Sequence, residues 1–250
     1  MNTDPTTIFG VRIDNVLKQQ ALNKVLAFLG SDQQHKIFTP NPEMLVDAQK
    51  DEYFKKILNE GDLNLCDGFG LSLLSRTKRI TGVDFMLDIC KLAEEKNKSV
   101  YFLGSGNREV VEGLKRNIQK QFSNLTIAGI HPGHQLQITN YKLQSNKEEN
   151  NQLIADIVMA QPDILFVAFG HGKQEKWIYE NLKDLPGVKV AMGVGGAFDF
   201  VSGNKKRAPK WMRVIGLEWL YRLIHEPNNL GRIWKATVIF IYYFCCKKVH

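Results

Sequence analysis

Seven short, β-type runs recur along the first 200 positions, and segments with apolar residues at helical spacing separate them. The runs are 8–14, 36–39, 62–66, 99–103, 125–130, 163–169 and 188–192. The internal runs are almost continuously apolar, which is typical of strands buried on both faces. The alternation predicts an α/β fold with a Rossmann-like, mostly parallel sheet and helices on both of its faces. A chain of 250 residues with 44% hydrophobic content can bury a core of that size.

The same pattern predicts the bounds of individual elements. Residues 8–14 are predicted to form one strand, and residues 43–61 one helix. Residues 140–151 are polar and are predicted to form a surface loop. Near the end of the chain, two largely apolar helices are predicted over 211–225 and 230–244.

Polar side chains follow several predicted strands at the point where each strand ends. Thr39 and Asn41 lie after the second strand, and Asp67 lies just past the third. Arg79 belongs to a loop that we place around the same pocket. Because the carboxyl ends of parallel strands share one edge of a sheet, we predict a ligand site there. Asp67 is either the N-cap of the following helix or a general base that accepts a proton from a hydroxyl group.

Two glycine-rich turns belong to the same predicted edge. Gly104, Ser105 and Gly106 follow a strand and precede a helix, the geometry by which a helix N-terminus receives a phosphate or a ribose. The third glycine of the dinucleotide fingerprint is missing, so this motif alone is weak. Gly195 and Gly196 follow the last strand, where backbone amides can meet a ligand.

Charge divides the chain near Gly203. Residues 204–250, which we call the tail, hold ten Lys or Arg and two acids, a balance of +8. Residues 1–203 therefore carry −1 of the total of +7, and three of the four tryptophans lie in the tail. A basic, aromatic segment suits an anionic membrane surface or a polyphosphate ligand. We predict an α/β domain over 1–203 and a helical, membrane-associating appendage over 204–250.

The tail opens with a basic segment, KKRAPKWMR (205–213), directly after the last glycine turn of the predicted sheet. Its lysines and arginines are suited to bind phosphate. The segment also joins the sheet to the tail, so we interpret it as a hinge as much as a site.

Several kinds of site lack support in the sequence. The N-terminus has neither the basic region nor the apolar region of a secretory signal. The four cysteines lack the spacing of metal ligands. Together these observations favour reduced thiols in a cytoplasmic protein. His131 and His134 have no nearby partner to complete a metal set, and no DxD-like pair follows a strand. We therefore predict no metal and no cofactor. The apolar run 237–246 is shorter than the roughly 20 residues of a spanning helix.

Several blocks together resemble the bacterial WecG/TagA/CpsF glycosyltransferases. They are TPNPEMLVDAQKD (39–51), CDGFGLSLLSR (66–76), RITGVDFM (79–86), VYFLGSG (100–106), PDILFVAFGHGKQEKWI (162–178) and VGGAFDFVSGNKKRAPKWMRVIGLEWLYRLIHEP (194–227). The resemblance covers nearly the whole chain, and its last block is long and specific.

The resemblance implies an inverting, metal-independent transferase at the cytoplasmic face of the cell membrane. It implies a UDP-sugar donor of the N-acetylhexosamine type and a lipid-diphosphate-linked sugar as acceptor. In the best-known members these are UDP-N-acetylmannosamine and undecaprenyl-diphosphate-GlcNAc, and the products feed teichoic acid, common antigen or capsule. Another UDP-activated hexose, such as glucose, or a uronic acid is an alternative donor. The sequence leaves the oligomeric state open, a homo-oligomer included.

The residue roles of the family fall on matching positions of this chain. Asp67 resembles the base that deprotonates the acceptor hydroxyl, with Thr39 and Asn41 as pocket residues near it. The other substrate-binding candidates are Arg79, Gly104, Ser105, Gly106, Gln174, Glu175, Gly195, Gly196, Asp199, Arg222 and Arg232. Among these, the turn at 104–106 and the Gln-Glu pair resemble the donor side. The two tail arginines resemble those that fold over the diphosphate, and Asp199 mainly positions the hinge.

The chain departs from the family pattern in two places. His171-Gly172 stands where a proline usually precedes Lys-Gln-Glu, which puts the rigidity of this loop in doubt. Asn228-Asn229 stands where the family usually has one or two further basic residues. We therefore expect one phosphate-clamping arginine to be missing and the substrate preference to differ accordingly.

Two other classes of protein fit parts of the pattern. A nucleotide-binding oxidoreductase would explain the Gly-x-Gly turn, but the missing third glycine and the lack of an acid closing a following strand count against it. A nucleic-acid binder would explain the basic tail. Its arginines are interleaved with core-type Leu, Ile and Trp and form no separate exposed stripe, so no nucleic-acid partner is predicted.

Overall fold

The computed structural model describes residues 4–225 and 230–247. Its centre is a six-stranded sheet in which all neighbouring strands are parallel. In spatial order the strands are β4 (Leu63–Asn64), β3 (His35–Phe38), β10 (Val190–Gly193), β9 (Ile164–Ala168), β5 (Ser99–Gly104) and β6 (Thr126–His131). Two antiparallel hairpins are formed by β1 (Thr6–Ile8) with β2 (Val11–Ile13) and by β7 (Gln137–Thr139) with β8 (Lys142–Gln144). The predicted α/β class with a parallel sheet is confirmed.

Helices connect the strands of the sheet and form the tail. Before residue 204 they are α1 (Lys18–Leu29), α2 (Pro42–Asp47), α3 (Glu52–Asn59), α4 (Phe69–Ser75), α5 (Gly82–Glu95), α6 (Arg108–Gln121), α7 (Lys147–Ala160), α8 (Lys173–Asn181) and α9 (Ala197–Ser202). The tail contains α10 (Lys210–Val214), α11 (Glu218–His225), α12 (Leu230–Trp234) and α13 (Phe240–Lys247). A π-helical turn over Lys235–Ile239 joins the last two.

Alternate side chains of the strands enter two separate apolar clusters. Ile37 and Phe166 belong to the cluster with α1, α5, α6 and α9. Their neighbours Phe38 and Leu165 belong to the cluster with α2, α3, α7 and α8. Because successive residues of a strand point to opposite faces, helices cover both faces of the sheet. The buried strands therefore fix one edge, formed by their carboxyl ends, at which the connecting loops meet.

The predicted single strand over 8–14 is wrong. Phe9 and Gly10 have φ angles of 52° and 78° and turn the chain between β1 and β2, with Ile8 opposite Val11. Two positive φ angles in a two-residue loop are the conformation of a tight hairpin, and glycine adopts it at little cost. The segment therefore reverses its direction and lies beside α3 instead of continuing as a single strand.

Two further predicted bounds are wrong for local reasons. The helix over 43–61 is divided into α2 and α3, because Asp51 accepts a hydrogen bond from the Phe54 amide (2.9 Å) and caps a new helix there. Asp51 also accepts one from Lys176 (2.6 Å), a buried ion pair that fixes the break. The predicted loop over 140–151 contains most of the β7–β8 hairpin and the start of α7.

Gly216 interrupts the helix that was predicted over 211–225. Its φ of 81° ends α10, and a Cβ atom at this position would overlap the ring of Phe69. The tail backbone therefore packs directly on the first residue of α4. None of the helices that the structure describes is long and apolar enough to cross a membrane.

The tail packs against both sides of the sheet's carboxyl edge. On one side Arg207 donates two hydrogen bonds to Asp84 in the first turn of α5. On the other side the π-helical turn and α13 lie along α2, and Phe240 packs edge-on against Phe9 with 5.5 Å between ring centres. Helices α10 to α13 thus reach both helical layers that flank the predicted ligand edge. The division of the chain into two domains at residue 203 stays a prediction.

Candidate active site

Asp67 lies in the loop that follows β4, at the carboxyl edge of the sheet. Its backbone N–H donates to Pro40 O (2.9 Å), which ties this loop to the loop after β3. The Gly82 N–H donates to Asp67 Oδ2 (3.3 Å), and Arg79 Nε lies 3.9 Å from Oδ1. The carboxylate is 29% exposed. It is therefore held from two directions and still open to a ligand hydroxyl.

Thr39 and Asn41 lie in the neighbouring loop, as the sequence predicts. Thr39 is buried, and a Cβ on Gly82 would lie 3.4 Å from its Oγ1 and 3.8 Å from Asp67 Oδ2, so the three residues meet. Asn41 accepts a hydrogen bond from the Met44 amide (3.1 Å) as the N-cap of α2. The N-cap of α4 is Gly68 rather than Asp67, so the alternative role for Asp67 as a helix cap does not apply.

Arg79 connects the Asp67 carboxylate to the tail. It donates to the Arg213 carbonyl (2.9 Å) and to Glu218 Oε2 (2.9 Å), and its Nε faces Asp67. Sequence reasoning included Arg79 but missed Glu218. These two residues stand 139 positions apart, and no local pattern indicates that they pair. The arginine that faces the base is thus held in part by the tail.

The turn after β5 is built for close contact with its neighbours. Gly104 has a φ of 119°, and a Cβ on it would lie 2.6 Å from the Ala168 carbonyl carbon, so only glycine fits. The Ser105 amide donates to Ala168 O and the Gly106 amide to Pro132 O, both at 2.8 Å. A Cβ on Gly106 would meet no atom within 4 Å. The turn is therefore anchored by its backbone and leaves open space before α6.

Gln174 and Glu175 are buried, at 2% and 0% exposure, and they connect two loops of the edge. Glu175 accepts hydrogen bonds from the Gly172 amide and from Gln174 Nε2, both at 2.7 Å. Gln174 Oε1 in turn accepts from the Gly195 amide (2.9 Å). Burial raises the pKa of Glu175 above its ordinary value, although these hydrogen bonds oppose the shift. The pair therefore holds the glycine loops in place and has little surface left for a ligand.

The remaining predicted residues lie further into the tail or beside it. Asp199 accepts a hydrogen bond from Asn204 Nδ2 (2.9 Å), and Gly196 is the N-cap of α9. Arg222 lies on α11, but its side chain falls outside the described part of the chain, as does the whole Asn228-Asn229 pair. Arg232 pairs with Glu43 of α2, and none of its described hydrogen bonds or ion pairs involves Asp67.

An ionic cluster attaches α12 to α2. Arg232 donates to both carboxylate oxygens of Glu43 (3.0 and 3.1 Å), and Lys235 donates to both of Asp47 (2.8 and 3.1 Å). His171 lies between them, with Nε2 2.9 Å from Asp47 Oδ2 and Nδ1 3.6 Å from Glu43 Oε2. Burial would raise the pKa of Asp47, but the bonds from His171 and Lys235 lower it overall. Sequence reasoning missed this cluster.

Three of these residues could also hold a metal ion, because their ligand atoms lie within 4.8 Å of one another. They are Glu43, Asp47 and His171. Both carboxylates already accept charged hydrogen bonds from the tail. The arrangement therefore fits an ionic attachment of the tail, and we assign no metal to it.

A held carboxylate and anchored glycine turns thus lie at the carboxyl edge of a parallel sheet, which is where open α/β sheets commonly bind ligands. Comparison with known proteins gives the class. A family model described as "Glycosyl transferase WecG/TagA/CpsF family" matches residues 6–250. The chain belongs to this family, and it is a glycosyltransferase.

Two relatives share about a third of their residues with this chain. A protein of Bacillus subtilis (strain 168) is 34% identical over 203 residues, which cover 79% of this chain and 74% of the relative. One of Staphylococcus aureus (strain MW2) is 30% identical over 249 residues, 96% of this chain and 92% of the relative. Both are named N-acetylglucosaminyldiphosphoundecaprenol N-acetyl-β-D-mannosaminyltransferase.

Proposed function

We propose that this protein transfers N-acetylmannosamine from UDP to the GlcNAc unit of an undecaprenyl-diphosphate-linked acceptor, with inversion and without a metal. The names of the two relatives support this choice of sugar and acceptor, and both align over most of their length. The observation that carries the proposal is the held but accessible carboxylate of Asp67 at the ligand edge of the sheet. The product would serve the synthesis of a teichoic acid or another cell-surface polysaccharide.

Asp67 is the proposed general base. As the acceptor hydroxyl oxygen bonds to the anomeric carbon, the bond from that carbon to the UDP oxygen breaks and UDP leaves with the electron pair. The hydroxyl proton passes to the Asp67 carboxylate. One direct displacement inverts the anomeric centre. The Gly82 amide and Arg79 keep the carboxylate oriented until the proton arrives.

The donor diphosphate is proposed to lie near the turn at 104–106. This turn opens the 14-residue helix α6, whose N-terminal amides and dipole favour negative charge. Charge that develops on the UDP oxygen must be stabilised there for the bond to break. The tail arginines Arg222 and Arg232 remain proposed diphosphate ligands. For Arg232 this role requires exchange of its bonds to Glu43 for bonds to phosphate.

The tail is proposed to hold the enzyme at the membrane surface where the lipid acceptor lies. One face of α12 and α13 is anchored on α2 and the N-terminal hairpin, through Arg232, Lys235 and Phe240. Large apolar side chains spaced along the same helices are exposed, namely Leu230, Trp234, Val238, Ile241 and Tyr242. An apolar stripe on a segment with a charge balance of +8 fits the interface of an anionic membrane. We propose the cytoplasmic membrane face as its location.

A panel of UDP-sugars tests the reaction. The full chain is incubated with a short-chain lipid-diphosphate-GlcNAc acceptor, and UDP release is recorded for each donor. We expect UDP-N-acetylmannosamine to give the highest turnover and no added metal to be required. Higher turnover with UDP-glucose or a UDP-uronic acid would favour that alternative donor. A nicotinamide titration is the matched test of the oxidoreductase alternative, and tight saturable binding there would contradict the proposal.

A further inference from the structure

A cavity of about 340 Å³ lies between α9, the loop 204–208 and α11. Its lining includes Lys205 and Lys206 from the loop and Glu218, Tyr221 and His225 from α11. Glu218 is bonded to Arg79, and Arg79 faces Asp67, so this cavity is two side-chain contacts from the proposed base. It is separate from the glycine turn at 104–106.

The loop that carries the two lysines is fixed at both ends. Before them, the Lys205 amide donates to Asp199 O (3.0 Å) and Asn204 Nδ2 donates to Asp199 Oδ1 (2.9 Å). After them, Arg207 donates to both oxygens of Asp84 (2.6 and 2.9 Å). Lys205 and Lys206 are nevertheless exposed. The backbone that carries these two lysines beside the cavity is therefore held by the bonds of the residues around them.

The charge of the lining favours an anion. Among the described residues that line it, the acidic member is Glu218, which pairs with Arg79, and the basic members include the adjacent Lys205 and Lys206. Tyr221 and His225 stack at 3.9 Å and form an aromatic wall opposite the loop. His225 Nδ1 lies 2.9 Å from the Tyr221 carbonyl, which directs Nε2 away from the helix backbone. Two ammonium groups and an imidazole can together bind the oxygens of a diphosphate.

We infer that this cavity binds the diphosphate of the lipid-linked acceptor, with Lys205 and Lys206 as its ligands. The inference rests on the proposed function. A transferase of this kind meets two diphosphates, and the donor diphosphate already has a place at the start of α6. The helices beside the cavity carry exposed Trp211, Val214 and Ile224, which suit the membrane surface from which a lipid diphosphate emerges.

The site assigns different roles to the basic residues of the tail. Arg207 and Arg232 form bidentate ion pairs that attach the tail to the body, and Arg213 lies 3.8 Å from Asp84. Lys235 also pairs with the body, whereas Lys205 and Lys206 line a cavity. A guanidinium suits a fixed, planar pair with a carboxylate, whereas an ammonium on a flexible stem follows a mobile phosphate more easily.

The test compares two variants of the full chain. Lys205→Ala/Lys206→Ala removes the proposed ligands, and Lys142→Ala/Lys183→Ala removes two exposed lysines that do not line the cavity. Binding of UDP and of farnesyl-diphosphate-linked GlcNAc is measured by calorimetry, and the KM of each substrate by UDP release. Because binding is measured directly, the site is tested even if turnover with UDP-N-acetylmannosamine fails.

We expect the first variant to bind the farnesyl-diphosphate probe at least tenfold more weakly, with UDP affinity within twofold of wild type. The control variant should match wild type for both ligands, and Lys205→Arg/Lys206→Arg should retain most of the probe affinity. An unchanged probe affinity in the Ala variant would overturn the site. A loss of UDP affinity without loss of probe affinity would overturn its assignment to the acceptor, as would failure of the wild type to bind the probe.

Discussion

The body and the tail of this molecule are held together by different forces. In the body, the central strands are buried on both faces, and two large apolar clusters enclose them. In the described part of the tail, Ala208 and Phe240 are the fully buried apolar side chains, and most other large ones are exposed. Charged pairs attach the tail on both sides, from Arg207 to Asp84 and from Lys235 to Asp47, and Phe240 adds one apolar contact.

This difference suggests why the proposed base is controlled from the tail. Apolar packing fixes the loops at the sheet edge, so Asp67 keeps its place whether or not the tail is attached. Partly exposed ion pairs are weak and depend on salt, so we expect the tail to be attached less firmly than the elements of the apolar core. The contact from Glu218 to Arg79 exists only while the tail is attached. A transferase that waits for a membrane-bound acceptor could use such a device to complete its site at the membrane.

Removal of the tail should have the largest effect. A chain that ends at Gly203 loses Glu218 and the cavity beside it, so we expect UDP release with the lipid acceptor to fall to background. The midpoint of thermal unfolding should change by only a few degrees, because the tail contributes few buried side chains. Wild-type turnover of the shortened chain would contradict the proposed role of the tail. A collapse of the unfolding midpoint would contradict the division between the two regions.

Removal of a buried phenyl ring should affect stability differently in the body and in the tail. Phe166→Ala removes a fully buried ring that stacks on Phe102, and we expect it to lower the free energy of unfolding by about 3–5 kcal/mol. Phe240→Ala, although equally buried, should leave the unfolding of the body nearly unchanged and speed tryptic cleavage in the tail. Chemical denaturation and limited proteolysis measure the two effects. Equal losses of global stability would show that body and tail unfold as one unit.

The pair between Arg207 and Asp84 predicts a smaller, pH-dependent effect. Burial would raise the pKa of Asp84, but the bonds from Arg207 and Thr81 hold it below its ordinary value. A carboxyl group with a lowered folded pKa contributes stability above its unfolded pKa of about 3.9, and that contribution is lost as the pH falls through the folded pKa.

We therefore expect Asp84→Asn to weaken tail attachment by about 1 kcal/mol at pH 7, because the carboxylate is half exposed. The difference from wild type should disappear in acid, below the pKa of Asp84 in the folded chain. Tryptic cleavage of the tail at pH 7 and denaturation across the acid range check this. Asp184→Asn, in an exposed turn, is the matched control. A difference that persists in acid would exclude the ion pair as its cause.

The order of strands and helices could be predicted from the sequence because it depends on the local spacing of apolar residues. The predicted bounds were wrong where a single residue ended or divided an element despite that spacing. Gly10 closes a hairpin, Asp51 caps a second helix, and Gly216 makes room for Phe69. Each of these residues carried a recognisable local signal, since glycine permits positive φ and aspartate favours caps.

The candidate site was predictable in part, for a related reason. Thr39 and Asp67 were correctly expected to meet because they follow neighbouring strands of one sheet. The pairs that attach the tail were not predicted, because Glu218 and Asp84 lie more than 100 positions from their partners. The support that Gln174 gives to the glycine loop was not predicted, and its role on the donor side stays a prediction. Residue types suggested phosphate contacts, but only the folded chain shows that Arg207 and Arg232 pair with carboxylates of the body and that Lys205 and Lys206 line a cavity.

The proton-accepting role of Asp67 is the central claim, and one variant tests it most directly. Asp67→Asn keeps the size of the side chain and an acceptor oxygen for the Gly82 amide, but it cannot take the acceptor proton at neutral pH. We predict that turnover of UDP-N-acetylmannosamine with the lipid-linked acceptor falls at least 100-fold, within the range typical of a lost general base. UDP binding measured by calorimetry should stay within twofold of wild type. Turnover equal to that of the wild type would contradict the account.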